Sequence, residues 1–93
     1  MVIEFLNSAA KHGFTRGDAI NAITHATYLI FDFDTSRVPN RHNPSLAIGP
    51  SLDGTSIEVM FIHVPNRLTI FHCMELREKI LQLAKEKSSD DGN

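Results

Sequence analysis

The apolar positions at the start of the chain recur at the spacing of an α-helix. Ile3, Leu6 and Ala10 fall on one helical face, so this pattern predicts a helix over 2–12. Gly13 follows directly, and glycine is the residue that most often ends a helix in the left-handed conformation. The sequence therefore predicts one short helix before any strand.

A second helical pattern begins within a few residues. Thr15 is a good N-cap, and Asp18, three positions later, is placed to complete a capping box. The inward-facing positions after this cap are Ala19, Ile20 and Ile23. The predicted second helix covers 16–26, and the short turn before it joins the two helices into one unit.

Strand-forming segments dominate from residue 28 onward, and turn residues separate them. The predicted strands are 28–33, 45–50, 56–64 and 67–72. Tight turns separate the last three strands, and the apolar pattern returns to helical spacing over 73–87. This order predicts a single α+β domain over 1–87, with two N-terminal helices, a four-stranded, mostly antiparallel sheet and a C-terminal helix. The polar residues 88–93 are expected to form a disordered acidic tail.

The tight turns also predict how the last three strands pair. Simple hairpins would place Ile48 opposite Ile57, and Phe61 opposite Ile70. The apolar residues that would then share one face, beneath the first two helices, are Leu46, Ile48, Ile57, Val59, Phe61, Leu68 and Ile70. His72 would continue this face, opposite Val59. The other face, called the mixed face below, consists of Glu58, Met60, Ile62, Arg67, Thr69 and Phe71. It would be half-covered by the last helix or serve as a contact surface.

Composition narrows the classes of function. The net charge is −2, and Asp90 and Asp91 account for it. The rest of the chain is close to neutral, which argues against strong nonspecific nucleic-acid binding but leaves room for a local basic patch. Cys73 is the single cysteine, so no intrachain disulfide can form and a cytoplasmic setting is expected. The sequence shows neither a secretory signal nor an apolar run of membrane-spanning length, so no membrane association is expected.

The segment 67–79 contains the strongest candidates for chemistry. It is interpreted as a strand that turns directly into a helix, with His72 at the junction and Arg77 in the first helical turn. The positive end of a helix disfavours a cation, so Arg77 requires a carboxylate partner or a visiting anion. The candidate partners are Glu58, Glu78 and Asp18. His72 can exchange protons near neutral pH, which favours the visiting anion, but it can equally be a hydrogen-bonded residue at a helix end.

The remaining histidines and the cysteine have structural interpretations. The five histidines lie on separate predicted elements without HxxxH spacing, so neither a metal nor another cofactor is expected. His12 and His25 each lie near a predicted helix C-terminus, where the dipole favours a cation. Cys73 is expected to be a free cysteine at the edge of the core.

Three short motifs occur in order between residues 11 and 79. They are Lys11-His12-Gly13-Phe14 before a helix, Leu46-Ala47-Ile48-Gly49 running through Gly54 to Glu58-Val59, and Leu68-Thr69-Ile70-Phe71-His72-Cys73-Met74. Together they resemble the K-H-G-V start, the I-G-x-x-x-x-G hairpin and the closing R-I-I-S-A-R strand of BrnT-type toxins. These are small bacterial ribonucleases with a RelE-like fold. The family's closing arginine falls on Met74 and its hydroxyl residue on His72, so Arg77 is the nearest guanidinium.

The resemblance implies a toxin of a toxin–antitoxin pair that cleaves RNA without a metal, through the substrate's own 2′-hydroxyl. The implied partner is a small antitoxin, of which a ribbon-helix-helix DNA-binding protein is one form. His72 would act as acid or base and Arg77 would clamp the phosphate, with further RNA contacts from Arg41, His42 and Arg67.

The alternative is a non-catalytic protein-interaction module on the same scaffold. The near-neutral chain and the missing motif arginine favour it. A homodimer formed through a sheet edge or through the mixed face is compatible with either function.

Overall fold

The computed structural model describes residues 1–34 and 42–91, in which strands and helices are mixed along the chain. The elements, in chain order, are β1 Val2–Phe5, α1 Asn7–Ala10, α2 Arg16–Thr24, β2 Tyr28–Ile30, β3 Ser45–Pro50, β4 Ser56–Val64, β5 Arg67–Glu75 and α3 Glu78–Asp91. The strands form one mixed sheet in the order β1-β5-β4-β3-β2. β1 is parallel to β5, and the other neighbouring strands are antiparallel. The predicted α+β class is confirmed, whereas the predicted count of four strands and the full helix predicted over 2–12 are wrong.

The segment predicted as the first helix is a strand, β1, followed by one helical turn, α1. β1 pairs with residues 67–70 of β5, and the amide of Leu6 donates to the carbonyl oxygen of Ile70 at 3.0 Å. Ile3 and Phe5 pack against the core. Their spacing of two residues is that of a half-buried strand, whereas the spacing from Ile3 to Leu6 also fits a helix, and pairing with the edge of β5 decides between the two.

α2 begins at the predicted capping box. The amide of Asp18 donates to the Thr15 hydroxyl at 3.1 Å, and the amide of Thr15 donates to the Asp18 carboxylate at 2.9 Å. The helix ends at Thr24, two residues before the predicted end. It packs so closely on β3 that a Cβ atom at Gly49 would collide with the carbonyl oxygen of Ala22. Glycine is therefore required where the helix crosses the sheet.

β3 and β4 pair one residue away from the predicted register. Ile48 lies opposite Glu58 rather than Ile57. As a consequence Leu46 and Ile48 pack on the side of α3 instead of beneath the first two helices. The connection between β3 and β4, residues 51–55, is one residue longer than the predicted tight turn. Because side chains alternate between the two faces of a sheet, this shift of one residue moves every side chain of the strand to the other face.

β4 and β5 begin in the predicted register and then depart from it. Phe61 lies opposite Ile70 as predicted. A β-bulge at this level leaves Phe71 unmatched across the pair, so His72 lies opposite Met60 rather than opposite Val59, as predicted. The bulge therefore turns His72 toward the α3 side of the sheet.

The strand and the helix at the end of the chain meet later than predicted. β5 continues to Glu75, so His72 lies within a strand rather than at the junction. α3 covers Glu78–Asp91 instead of 73–87, and residues 88–91 of the predicted tail are helical. Neither α3 nor any other helix in the two described segments is long and apolar enough to cross a membrane.

Each face of the sheet buries one hydrophobic cluster. The cluster beneath α1 and α2 contains Ala9, Ala19, Ala22, Ala47, Ile57, Val59, Phe61, Leu68, Ile70 and Cys73. The cluster beneath α3 contains Ile30, Phe33, Leu46, Ile48, Ile80 and Ala84, and Met60 packs against it. Part of the predicted mixed face is therefore covered by α3, while Ile62 and Thr69 lie opposite each other and are half-buried.

Candidate functional site around Glu58

Glu58 is a charged residue within an otherwise apolar stretch of β4. Its side chain is fully buried, with 0% of its surface exposed. A buried carboxylate is costly unless its oxygen atoms accept hydrogen bonds from well-placed donors. Four such bonds reach this carboxylate, and they come from His72 and Arg77.

Arg77 supplies three of the four hydrogen bonds. Its backbone amide and its Nε atom donate to Oε1 of Glu58 at 2.9 and 3.1 Å, and its Nη2 atom donates to Oε2 at 2.7 Å. Arg77 immediately precedes α3, and its carbonyl oxygen accepts from the amides of Ile80 and Leu81. The carboxylate thus compensates both the guanidinium and the positive end of the helix. Of the three predicted partners for Arg77, the structure has Glu58.

His72 supplies the fourth hydrogen bond. Its Nε2 atom lies 2.9 Å from Oε2 of Glu58. An ionised carboxylate can only accept hydrogen bonds, so Nε2 of His72 carries the hydrogen that it donates to Glu58. The Nδ1 atom of His72 is therefore the ring nitrogen that can accept a proton from another group.

The hydrogen bonds control the charge of Glu58. Burial alone raises the pKa of its carboxyl group, but the bonds from His72 and from the Arg77 side chain and amide outweigh it and lower the pKa from 4.5 to about 2. In turn, the hydrogen bond to Glu58 raises the pKa of the Arg77 guanidinium. The cluster therefore contains a permanent carboxylate and a permanent guanidinium at neutral pH.

Solvent reaches the two side chains that bind Glu58 but not Glu58 itself. The side chain of His72 is 19% exposed and that of Arg77 is 36% exposed, whereas Glu58 is inaccessible. An incoming group can consequently touch the imidazole and the guanidinium but not the carboxylate. Glu58 is a positioning residue in this arrangement.

His12 lies next to this cluster. The centroid of its ring is 6.1 Å from that of His72, and the two rings are arranged edge to face at 67°. His12 is exposed and follows α1, 60 residues before His72 in the sequence. The structure thus places the His12 imidazole beside His72, which shares the Glu58 carboxylate with the Arg77 guanidinium.

Sequence reasoning missed two members of the cluster. It assigned His12 to a helix dipole and considered Glu58 only as one partner for Arg77. Signals for both were present: His12 lies in the Lys11-His12-Gly13 motif, and Glu58 interrupts the apolar run 57–61 of a strand that was predicted to pair with a neighbour on each side. Neither signal gives a distance, because the contacts depend on the bulge and on α1.

The predicted RNA-contact residues lie elsewhere or outside the described residues. Arg67 begins β5, five residues before His72, which corresponds to roughly 16 Å along a strand. Its Nη1 atom donates to the Glu4 carboxylate at 3.0 Å. His42 is exposed before β3, and Arg41 lies outside the described residues. Arg67 therefore does not join the His72 and Arg77 cluster.

Neither cysteine chemistry nor metal chemistry is supported by the described residues at this site. Cys73, next to His72, is buried, and burial raises the pKa of its thiol to about 11, so it stays protonated. Within residues 1–34 and 42–91, no group of three or more His, Cys, Asp or Glu side chains could hold a metal ion.

Comparisons with protein-family models, with curated proteins and with solved structures found no match to this chain. They identify no family, and the resemblance to BrnT-type toxins stays a prediction. Function is therefore inferred from the geometry around Glu58 and from the motifs in the sequence.

Proposed function

We propose that this chain is a small ribonuclease toxin that cleaves RNA without a metal, with the 2′-hydroxyl of the substrate as nucleophile. The observation that supports this function best is that His72 and Arg77 share the buried Glu58 carboxylate while both remain partly exposed. These are the two residues to which the sequence assigns proton transfer and phosphate binding.

The reaction requires a proton acceptor and a cation at the phosphate. His72 offers its Nδ1 atom, because Nε2 is held by Glu58. Arg77 offers Nη1, which has no hydrogen-bond partner in the described part of the chain. A guanidinium held at Nε and Nη2 is fixed in orientation, so less entropy is lost when it binds a phosphate oxygen.

The proposal also includes a toxin family and an antitoxin as the partner protein. The three motifs between residues 11 and 79 favour a BrnT-type toxin with a RelE-like fold. Such a toxin would act in the bacterial cytoplasm and be inhibited by a small antitoxin. The near-neutral chain implies that RNA is recognised by local contacts rather than by a large basic surface.

One observation favours a second function, a non-catalytic protein-interaction module. Two of the three side-chain nitrogens of Arg77 are already bound to Glu58, and this internal ion pair cancels much of the charge that a phosphate would meet. In this case the cluster would serve only to connect β4, β5 and α3.

Expression of the protein alone in bacteria separates the two functions. The ribonuclease predicts growth arrest with degraded cellular RNA, and predicts that His72→Gln and Arg77→Ala abolish both. Gln at position 72 retains a donor for Glu58, so loss of toxicity would not result from an unpaired carboxylate. His25→Ala, an exposed histidine at the end of α2, is the matched control and should remain toxic. Normal growth and intact RNA with the unchanged protein would favour the interaction module.

A further inference from the structure

We propose that His12 is the second proton-transfer residue of this site, acting as general acid while His72 acts as general base. This inference rests on the proposed ribonuclease function and adds the group that protonates the leaving oxygen. It is based on the 6.1 Å approach of the two rings and on the different surroundings of each ring.

The surroundings of His72 suit a base. Nε2 donates to Glu58, so the neutral ring has its lone pair on Nδ1. When Nδ1 accepts a proton, the positive ring remains bonded to a carboxylate that is already ionised. Two titratable side chains face His72: the Glu58 carboxylate is hydrogen-bonded to it and the His12 ring lies 6.1 Å away. The Arg77 guanidinium shares the Glu58 carboxylate.

The surroundings of His12 suit an acid. Its ring is exposed, and within the described residues no carboxylate forms an ion pair or hydrogen bond with it. It can therefore exchange protons with water after each reaction cycle and deliver one to a substrate oxygen. A protonated imidazole in this position would also add positive charge beside the phosphate.

The fold holds His12 next to His72 through α1. The Ser8 hydroxyl donates to the carbonyl oxygen of Phe71 at 2.7 Å, one residue before His72. Gly13 then turns the chain with a φ of +88°, in the left-handed region that favours glycine. The same bulge that turns His72 therefore also supplies the carbonyl oxygen that anchors the segment leading to His12.

The proposed step balances in protons and bonds. Nδ1 of His72 takes the proton of the 2′-hydroxyl, the 2′-oxygen forms a bond to phosphorus, and the bond from phosphorus to the 5′-oxygen breaks. His12 gives its proton to the departing 5′-oxygen. The products are a 2′,3′-cyclic phosphate and a free 5′-hydroxyl, and the protein has lost one proton at His12 and gained one at His72.

Two substrates with different leaving groups test the two roles separately. RNA releases a poor alkoxide leaving group and needs the acid, whereas a nitrophenyl ester of uridine 3′-phosphate releases a good leaving group and does not. We expect His12→Ala to lower the rate of RNA cleavage by about 10²–10⁴-fold and to leave cleavage of the nitrophenyl ester nearly unchanged. His72→Gln should be defective on both substrates, and His25→Ala on neither.

The pH dependence gives a second measure of the same assignment. With RNA, kcat/KM of the unchanged protein should pass through a maximum with pH, and His12→Ala should lose the fall on the alkaline side, where the acid is deprotonated. Circular dichroism of each variant confirms that it is folded, which is expected for an exposed position.

The outcomes distinguish the inference from the proposed function. If the unchanged protein cleaves RNA and His12→Ala is equally active, or is equally impaired on both substrates, His12 is not the acid although the ribonuclease function stands. If the unchanged protein cleaves neither substrate, both the function and the role of His12 are overturned.

Discussion

The Nε2 atom of His72 lies 2.9 Å from Oε2 of Glu58, which connects β5 to a fully buried carboxylate on β4. The contact exists because the bulge in β5 directs His72 to the side of the sheet on which Glu58 lies. Arg77 completes the coordination of the same carboxylate from the start of α3. Glu58 thus fixes the side chains of His72 and Arg77, which the proposed chemistry requires.

Removal of the Glu58 carboxylate should destabilise the fold strongly. Glu58→Ala deletes four hydrogen bonds and leaves Arg77 without its partner, so the free energy of unfolding should fall by about 3–5 kcal/mol. Urea unfolding followed by circular dichroism measures the loss. Glu4→Ala removes the exposed pair with Arg67 and is the control, with an expected loss of about 0–1 kcal/mol. Equal losses in the two variants would contradict a structural role for the buried cluster.

Acid should weaken the protein through Glu58. Its pKa is about 2 in the folded protein and 4.5 in its ordinary state, so the unfolded chain binds a proton first as the pH falls. The stabilisation is fully present above pH 4.5 and is lost as the pH falls through 2. Because Asp18 and Asp53 also have lowered pKa values, the contribution of Glu58 must be isolated with Glu58→Gln. This variant should show a smaller decline in unfolding free energy between those pH values. An unchanged decline would mean that Glu58 does not titrate in this way.

Gly49 should be intolerant of a side chain. Gly49→Ala places a methyl group against the carbonyl oxygen of Ala22, and α2 must move away from the sheet to accommodate it. We expect a loss of about 1–3 kcal/mol in thermal or urea unfolding. Gly17→Ala is the matched control, because its new methyl group meets side chains rather than backbone. It would lie 3.3 Å from the flexible end of Leu52 and at an ordinary contact distance of 3.7 Å from the Thr15 hydroxyl, and alanine favours the helix. The packing of α2 on β3 would be wrong if Gly49→Ala were as stable as the unchanged protein.

Cys73 should react slowly with thiol reagents in the folded protein. Its side chain is fully buried, and burial raises the pKa of the thiol to about 11, so little thiolate is present at neutral pH. The rate of reaction with an aromatic disulfide reagent should be low in buffer and rise sharply in denaturant. Rapid labelling in buffer at neutral pH would show that Cys73 is accessible and would contradict its burial in the core.

Sequence reasoning predicted the features that depend on neighbouring residues. The capping box of Thr15 and Asp18 and the start of α2 are local, and the structure confirms them. The need of Arg77 for a carboxylate followed from its position near the start of a helix, and Glu58 was among the candidates. Each of these predictions depends on a few residues that are close together in the sequence.

The features that were missed depend on residues far apart in the sequence. β1 is a strand because β5 offers an edge for pairing, and the sequence of residues 2–5 fits either element. The pairing of Ile48 with Glu58 follows from a loop that is one residue longer than a tight turn, and the bulge at Phe71 shifts His72 by one position. The approach of His12 to His72 depends on the pairing of β1 with β5, on the hydrogen bond from Ser8 to Phe71 and on the bulge in β5. Sequence patterns indicate which face of an element is buried and where turns occur. An error of one residue in strand pairing, however, changes which side chains meet at the site.

Analysis of the RNA ends formed by the purified protein tests the central claim most directly. The purified chain should cleave RNA in the presence of EDTA and leave 2′,3′-cyclic phosphate and 5′-hydroxyl ends, while folded His72→Gln should leave the RNA intact. Undamaged RNA with the unchanged protein, or full cleavage by His72→Gln, would contradict the assignment of a ribonuclease site to His72 and Arg77.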